Sequence, residues 1–228
     1  MTSKAKPNPL IELLITLIIP SLILMKFSDP EDLGAVNALL LALAFPLFWG
    51  ARDLLTRQKL NLFAALGVVS ILLTGGIGLL QLDTQWLAIK EATIPGLIGL
   101  AVAISAHTRN PLVRMLLYTP ALMDVERIQR SLAERGNQAV FESRLKIATW
   151  MLAGSFLFSS VMNYLLATWI VVSPSGTPAF NEELGRLTLL SYPMIALPSM
   201  LIMMVALYYL ARSIRELAGL KLTEALNH

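Results

Sequence analysis

Six apolar runs, at residues 10–27, 33–50, 60–82, 86–106, 145–172 and 187–211, constrain this chain more than any other feature. A hydrocarbon core about 30 Å thick is crossed by roughly 20 apolar residues in a helix. In lipid, every backbone N–H and C=O of a spanning segment needs a partner, and a helix supplies them internally. The expected fold is therefore an all-α membrane protein, a bundle of about six transmembrane helices forming one transmembrane domain over residues 1–228. Composition agrees: 56% of residues are apolar and only 14% charged, whereas soluble domains carry about a quarter charged residues. The first two runs are short and the fifth is long, which predicts tilt or local bilayer thinning. Pro20, Pro46, Pro95, Pro193 and Pro198 lie within runs and are expected as kinks, because neighbouring helices re-satisfy the freed carbonyls. Lys4 and Lys6 before the first run resemble the start of a secretory signal. Glu12 interrupts that run and no small-x-small cleavage site follows it, so it is read as a retained span.

Charge placement fixes an expected orientation. With both termini in the cytoplasm, the inner segments hold Lys4, Lys6, Arg52, Arg57, Lys59, Arg109, Arg114, Arg127, Arg130, Arg135, Arg144, Lys146, Arg212, Arg215 and Lys221. The outer loops hold Lys26 and Arg186, and Lys90 falls within a span. Fifteen against two satisfies the positive-inside rule, and removing or adding one span would scramble the order. The expected location is a membrane crossed several times, with both termini on the cytoplasmic side.

The cytoplasmic connector, 107–144, contains a second kind of pattern. Thr119-Pro120 reads as a helix start, with Thr as N-cap and Pro at the first helical position. Leu122, Val125, Ile128 and Leu132 then share one side, and Gly136 ends the segment. Such a helix is amphipathic and lies on the membrane or on the inner face of the bundle. A second cytoplasmic amphipathic segment is expected at about 212–226.

Spans three and five align without a gap at an offset of 85: Ser70, Thr74 and Gly78 match Ser155, Ser159 and Asn163. Small or hydroxylated residues four apart form a narrow stripe where helix backbones approach closely. Ser70, Thr74, Gly75, Gly76, Gly78, Ser155 and Ser159 are accordingly the candidate packing residues. Both spans run from inside to outside, so the chain also reads as three in–out–in hairpins.

Charged and polar groups at membrane depth are the functional candidates: Lys90, Glu91, Glu12, Asn37 and Asn163. Lys90 lies one turn from Trp86, so its ammonium can snorkel to the headgroups. Glu91 is shorter. Neighbours in a helix point about 100° apart, which argues against simple pairing with Lys90, so a partner such as Asn37 or Asn163, or an aqueous cavity, is expected. Glu12 is read as interfacial.

Other chemistry is excluded more firmly. There is no cysteine, and two distant histidines make no metal site. Thr74-Gly75-Gly76-Ile77-Gly78 lacks the Lys-Ser/Thr of a phosphate loop. The ten methionines fit packing better than soft-metal ligation. No catalytic residue, metal or cofactor is expected, and a net charge of +3, placed as above, does not point to nucleic acid.

Residues 60–169 resemble the intracellular septation protein A family of bacterial inner-membrane proteins. The similarity rests on Gly75-Gly76, Lys90, Pro111-Leu112 with Arg114-Met115-Leu116, Trp150, and Asn163 with Trp169. Glu91, a longer connector and the last span depart from that pattern, which implies a divergent branch. The resemblance implies a non-enzymatic role in cell-envelope maintenance or septation, through other inner-membrane proteins or self-association within the bilayer. It supplies no catalytic residue. The alternative is a small-solute or ion transporter or channel using Glu91 and Lys90 at proline-interrupted helices.

Overall fold

The computed structural model describes residues 13–57, 62–108, 111–116, 118 and 123–220. Among these the chain is all-helical. We label the helices α1 (Leu14–Lys26), α2 (Gly34–Arg57), α3 (Leu62–Leu79), α4 (Gln85–Ser105), α5 (Leu112–Leu116), α6 (Val125–Glu134), α7 (Gln138–Ile170) and α8 (Pro178–Ala218). Most described residues of each of the six apolar runs fall on helices. Four of these are long and apolar enough to cross a membrane: Gly34–Arg52 within α2, then α4, α7 and α8. The described apolar stretches of α1 and α3, Leu14–Lys26 and Ala65–Leu79, are shorter than that.

Boundaries differ from the hydropathy reading where a helix outruns its apolar stretch. α7 begins at Gln138 rather than 145, and α8 at Pro178 rather than 187. Residues 178–186, expected as outer loop, are therefore helical. Thr177 causes this: its Oγ1 accepts from the Phe180 N–H at 3.1 Å, and Pro178 follows at the first helical position. α7, at 33 residues, is about 50 Å long, so it extends beyond a hydrocarbon core of about 30 Å.

Two prolines shape their helices in the same way. The helix widens to a π turn at Leu14–Ile18 in α1 and at Tyr192–Ala196 in α8. Each turn ends two residues before a proline, Pro20 and Pro198 respectively. A proline ring clashes with the carbonyl four residues back. Those carbonyls belong to Thr16 and Met194, both inside the widened turns. Pro46 and Pro95 sit in uninterrupted helix.

The chain forms two compact units. The first comprises Met1–Ala92 and Met162–Met194. Here α2 packs on α1 and α3, and the start of α8 lies against α1. Gly185 permits that last approach, since a Cβ there would stand 2.9 Å from the Ser21 carbonyl oxygen and 2.8 Å from Met25 Cγ. Gly75 and Gly78 of α3 face Leu43 and Leu39 of α2. Gly76, also expected at a helix contact, has nothing within 4 Å of its Cβ position; two glycines of the stripe pack and this one does not.

The second unit comprises Thr93–Val161 and Ile195–His228. Its core gathers Val113, Ile128, Leu132, Leu145, Leu152, Leu210 and Ile214, all at most 2% exposed. The amphipathic helix of the connector is α6, and it packs on the C-terminal part of α8. It starts at Val125 with Asp124 as N-cap, whose Oδ1 accepts from the Arg127 N–H at 3.0 Å. The proposed start at Thr119-Pro120, together with Leu122, lies outside the described residues. Gly136, at φ +66°, ends α6 as expected, in the left-handed region that glycine tolerates. Asn137 then donates from Nδ2 to the Leu217 carbonyl at 2.9 Å, joining the connector to α8. The segment expected at 212–226 continues α8 to Ala218; its residues from 221 on lie outside the described set.

Candidate functional site

The site is built on the start of α4. Asp83 Oδ1 accepts from the Gln85 N–H at 2.8 Å and opens the helix. Leu87 and Ala88, at most 1% exposed, face its buried side. Lys90 follows with its side chain only 8% exposed. It does not extend outward from the protein surface. It turns to α3, where Ser70 and Thr74, one helical turn apart, present both hydroxyls on one face.

The Lys90 ammonium donates to Thr74 Oγ1 at 2.7 Å and to Ser70 Oγ at 3.2 Å, and stands 2.6 Å from Glu91 Oε1. An ammonium has three protons to donate, and three oxygens receive them. Thr74 in turn donates to the Ser70 carbonyl at 3.0 Å, which orients its lone pairs toward the lysine. The stripe read as a packing surface is thus also a set of cation acceptors.

Lys90 and Glu91 therefore do pair, against the expectation drawn from their 100° separation. That angle separates the Cβ directions and not the charged heads, and the lysine stem spans the difference. Low burial of the acid helps: the Glu91 side chain is 30% exposed against 8% for Lys90, so only one of the two charges is largely withdrawn from solvent. Asn37 is not a partner. It is exposed, and its Nδ2 donates to the Leu33 carbonyl of its own chain segment at 2.9 Å. Asn163 and Ser159 are half-buried on α7. Glu12 lies outside the described residues.

The α7 counterpart of the stripe behaves differently. Ser155 Oγ donates to the Ser199 carbonyl of α8 at 2.9 Å. Gly96 and Gly99 of α4 lie against Ser160 and against Leu157 and Phe156 of α7. Ser70 accepts from a cation while Ser155 donates to a backbone, so the aligned serines do not share an interaction.

The sequence reading overlooked several polar residues. Asn181, fully buried, donates from Nδ2 to Ser28 Oγ at 3.0 Å and to the Ala35 carbonyl at 2.7 Å. Glu183 accepts from the Val172 and Ser173 N–H groups at 2.9 and 2.8 Å, closing the end of α7. Both lie in the stretch expected as outer loop, and the Thr177-Pro178 capping signal is what places them on a helix. Arg114, Tyr118 and Glu142 meet in the second unit. Burial pushes the Tyr118 phenol up to about 12, so it keeps its proton at neutral pH. No group of three or more His, Asp or Glu residues suited to a metal occurs among the described residues. Comparison with protein-family models, curated proteins and solved structures finds no match to this chain.

Proposed function

We propose that this chain is a non-enzymatic, six-span protein of a bacterial inner membrane with both termini in the cytoplasm. In this reading it maintains the cell envelope or septum by associating with other inner-membrane proteins or with itself. The observation that carries the reading is the accounting at Lys90. All three donors of Lys90, whose side chain is 8% exposed, are met by Ser70, Thr74 and Glu91 of the same chain. A cation held in this way ties α3 to α4 and has no donor left for a solute. Support for orientation comes from the fifteen-to-two distribution of basic residues. Support for the envelope role comes from the resemblance over residues 60–169.

The partial exposure of Glu91 favours the alternative, a transporter in which this carboxylate meets a cation or proton. Glu91→Gln separates the two readings, because glutamine keeps the shape and an acceptor oxygen for Lys90 while removing the charge. In a deletion strain at matched membrane abundance, the assembly reading expects Glu91→Gln to restore growth and envelope integrity, and Glu91→Leu to fail. An abundant but inactive Glu91→Gln protein would transfer the assignment to transport.

A further inference from the structure

A cavity of about 380 Å³ opens in the second unit, lined by residues of α5, α6 and the first turns of α7. Its position is fixed at one end by Ser105 Oγ, which accepts from the Leu112 N–H at 2.9 Å and so holds α5 against the end of α4. At the other end Gln138, Phe141 and Glu142 project from the start of α7. Arg114 pairs with Glu142 inside this space. Tyr118 stands edge-on to Phe141, ring centroids 5.4 Å apart.

Two buried hydrogen-bonding groups of residues that line the cavity have no protein partner: the Tyr118 hydroxyl and Arg114 Nε. Tyr118 is 4% exposed. A buried donor without a partner costs as much as a lost hydrogen bond, and native proteins seldom retain one without a reason. Both groups are donors here, since guanidinium cannot accept and the phenol keeps its proton. The ion pair uses Glu142 Oε1 and leaves a second carboxylate oxygen. Gln129 and Gln138 add amides to the same wall.

The charge of the lining selects the ligand class. Arg114 and Glu142 cancel, so a net anion would meet Glu142 and a net cation would meet Arg114. A ligand with an anionic oxygen group and an ammonium satisfies both ends. We propose that this cavity binds a phosphoethanolamine-type zwitterion, its phosphate accepting from Arg114 Nε and the Tyr118 hydroxyl, its ammonium facing Glu142. Gln138–Glu142 precede the apolar run of α7, which begins near residue 145, by three to seven residues. That is about 5–10 Å along a helix, the depth of the lipid headgroups. The expected source is therefore a lipid headgroup, an inference that rests on α7 spanning the membrane; the lining chemistry does not depend on it.

The full chain, delipidated in detergent, tests this against mixed micelles of phosphatidylethanolamine, phosphatidylcholine or phosphatidylglycerol, and against free glycerophosphoethanolamine. Bound lipid is read by native mass spectrometry. Phosphatidylethanolamine should be retained over the other two, because a quaternary ammonium cannot donate to Glu142 and phosphatidylglycerol is a net anion. Tyr118→Phe should weaken retention about tenfold, the worth of one hydrogen bond to a charged group. It should not lower the lipid-free melting temperature and should raise it slightly, since the buried hydroxyl has no protein partner. Binding of the free compound alone would keep the proposed chemistry and move the source to solution. Equal retention of all three headgroups, preference for phosphatidylglycerol, or a Tyr118→Phe protein that binds like the parent would overturn the proposal.

Discussion

Replacing Lys90 by methionine keeps an unbranched stem of similar length and removes the cation that joins α3 to α4. The consequences can be worked through from the three acceptors. Thr74 keeps its own donation to the Ser70 carbonyl, so losing Lys90 as a donor leaves it partly satisfied. Ser70 Oγ loses a donor at 3.2 Å, the longest of the three contacts. Glu91 is left as an unpaired carboxylate. Removing one member of a fully buried pair costs about 3–5 kcal/mol. Glu91 retains 30% of its exposure, so the cost for Lys90→Met falls to about 2 kcal/mol. Glu91→Gln keeps an acceptor for the lysine and should cost about 1 kcal/mol. The double variant leaves no charge uncompensated and should cost less than the sum, a coupling of about 1–2 kcal/mol. Reversible unfolding of the full chain in bicelles, measured for wild type, both single variants and the double, reads this coupling directly. Strict additivity would show that the pair contributes nothing, and a Lys90→Met protein as stable as wild type would show that the lysine reaches outward to the headgroups.

Two further outcomes follow from packing and topology. Gly185→Ala places a Cβ 2.9 Å from the backbone oxygen of Ser21, which cannot swing aside, and should destabilise by about 1–3 kcal/mol; Gly76→Ala meets nothing within 4 Å and should change stability by no more than about 1 kcal/mol, in the stabilising direction. Equal melting temperatures for the two variants in detergent would refute the close approach at Gly185. The chain has no cysteine, so single cysteines at the exposed positions Asp32, Asp83 and Glu182 should react with an impermeant reagent outside sealed cells, while one at Gln129 should stay unlabelled; the reverse pattern would refute the proposed orientation.

The helical class was legible because its signal is thermodynamic and long-range: a run such as 86–106 needs lipid, and α4 occupies Gln85–Ser105. Helix ends were less legible because hydropathy registers the solvent around a helix and capping chemistry decides where it stops. Thr119-Pro120 and Thr177-Pro178 carry the same capping signal, and the second begins α8. Asn181 and Glu183 bind other segments only because residues 178–186 are helical. The cavity at Arg114, Tyr118 and Glu142 was illegible for a different reason. Its walls come from α5, α6 and α7, and no periodicity within one helix records which residues of three will converge.

The Lys90 cluster falls between these cases, and its parts were all visible. By sequence, Ser70 and Thr74 suit a surface for close packing against apolar neighbours, and Lys90 is a charge in need of escape. Each reading treated its own helix as facing an indifferent environment. In lipid the environment is not indifferent: a hydroxyl pair and an ammonium are each costly alone, and each lowers the cost of the other. A hydroxyl at i and i+4 on one apolar helix, followed after a short turn by an apolar helix with a single cation, is therefore a pairing signal. The geometry is also selective. The reversal at Leu80–Thr84 places α3 and α4 next to one another in the chain, so Lys90 is separated from Thr74 by only 16 residues. An acceptor on a distant helix, such as Asn37, would have required the bundle to form first, whereas this contact is available as soon as the α3–α4 hairpin closes.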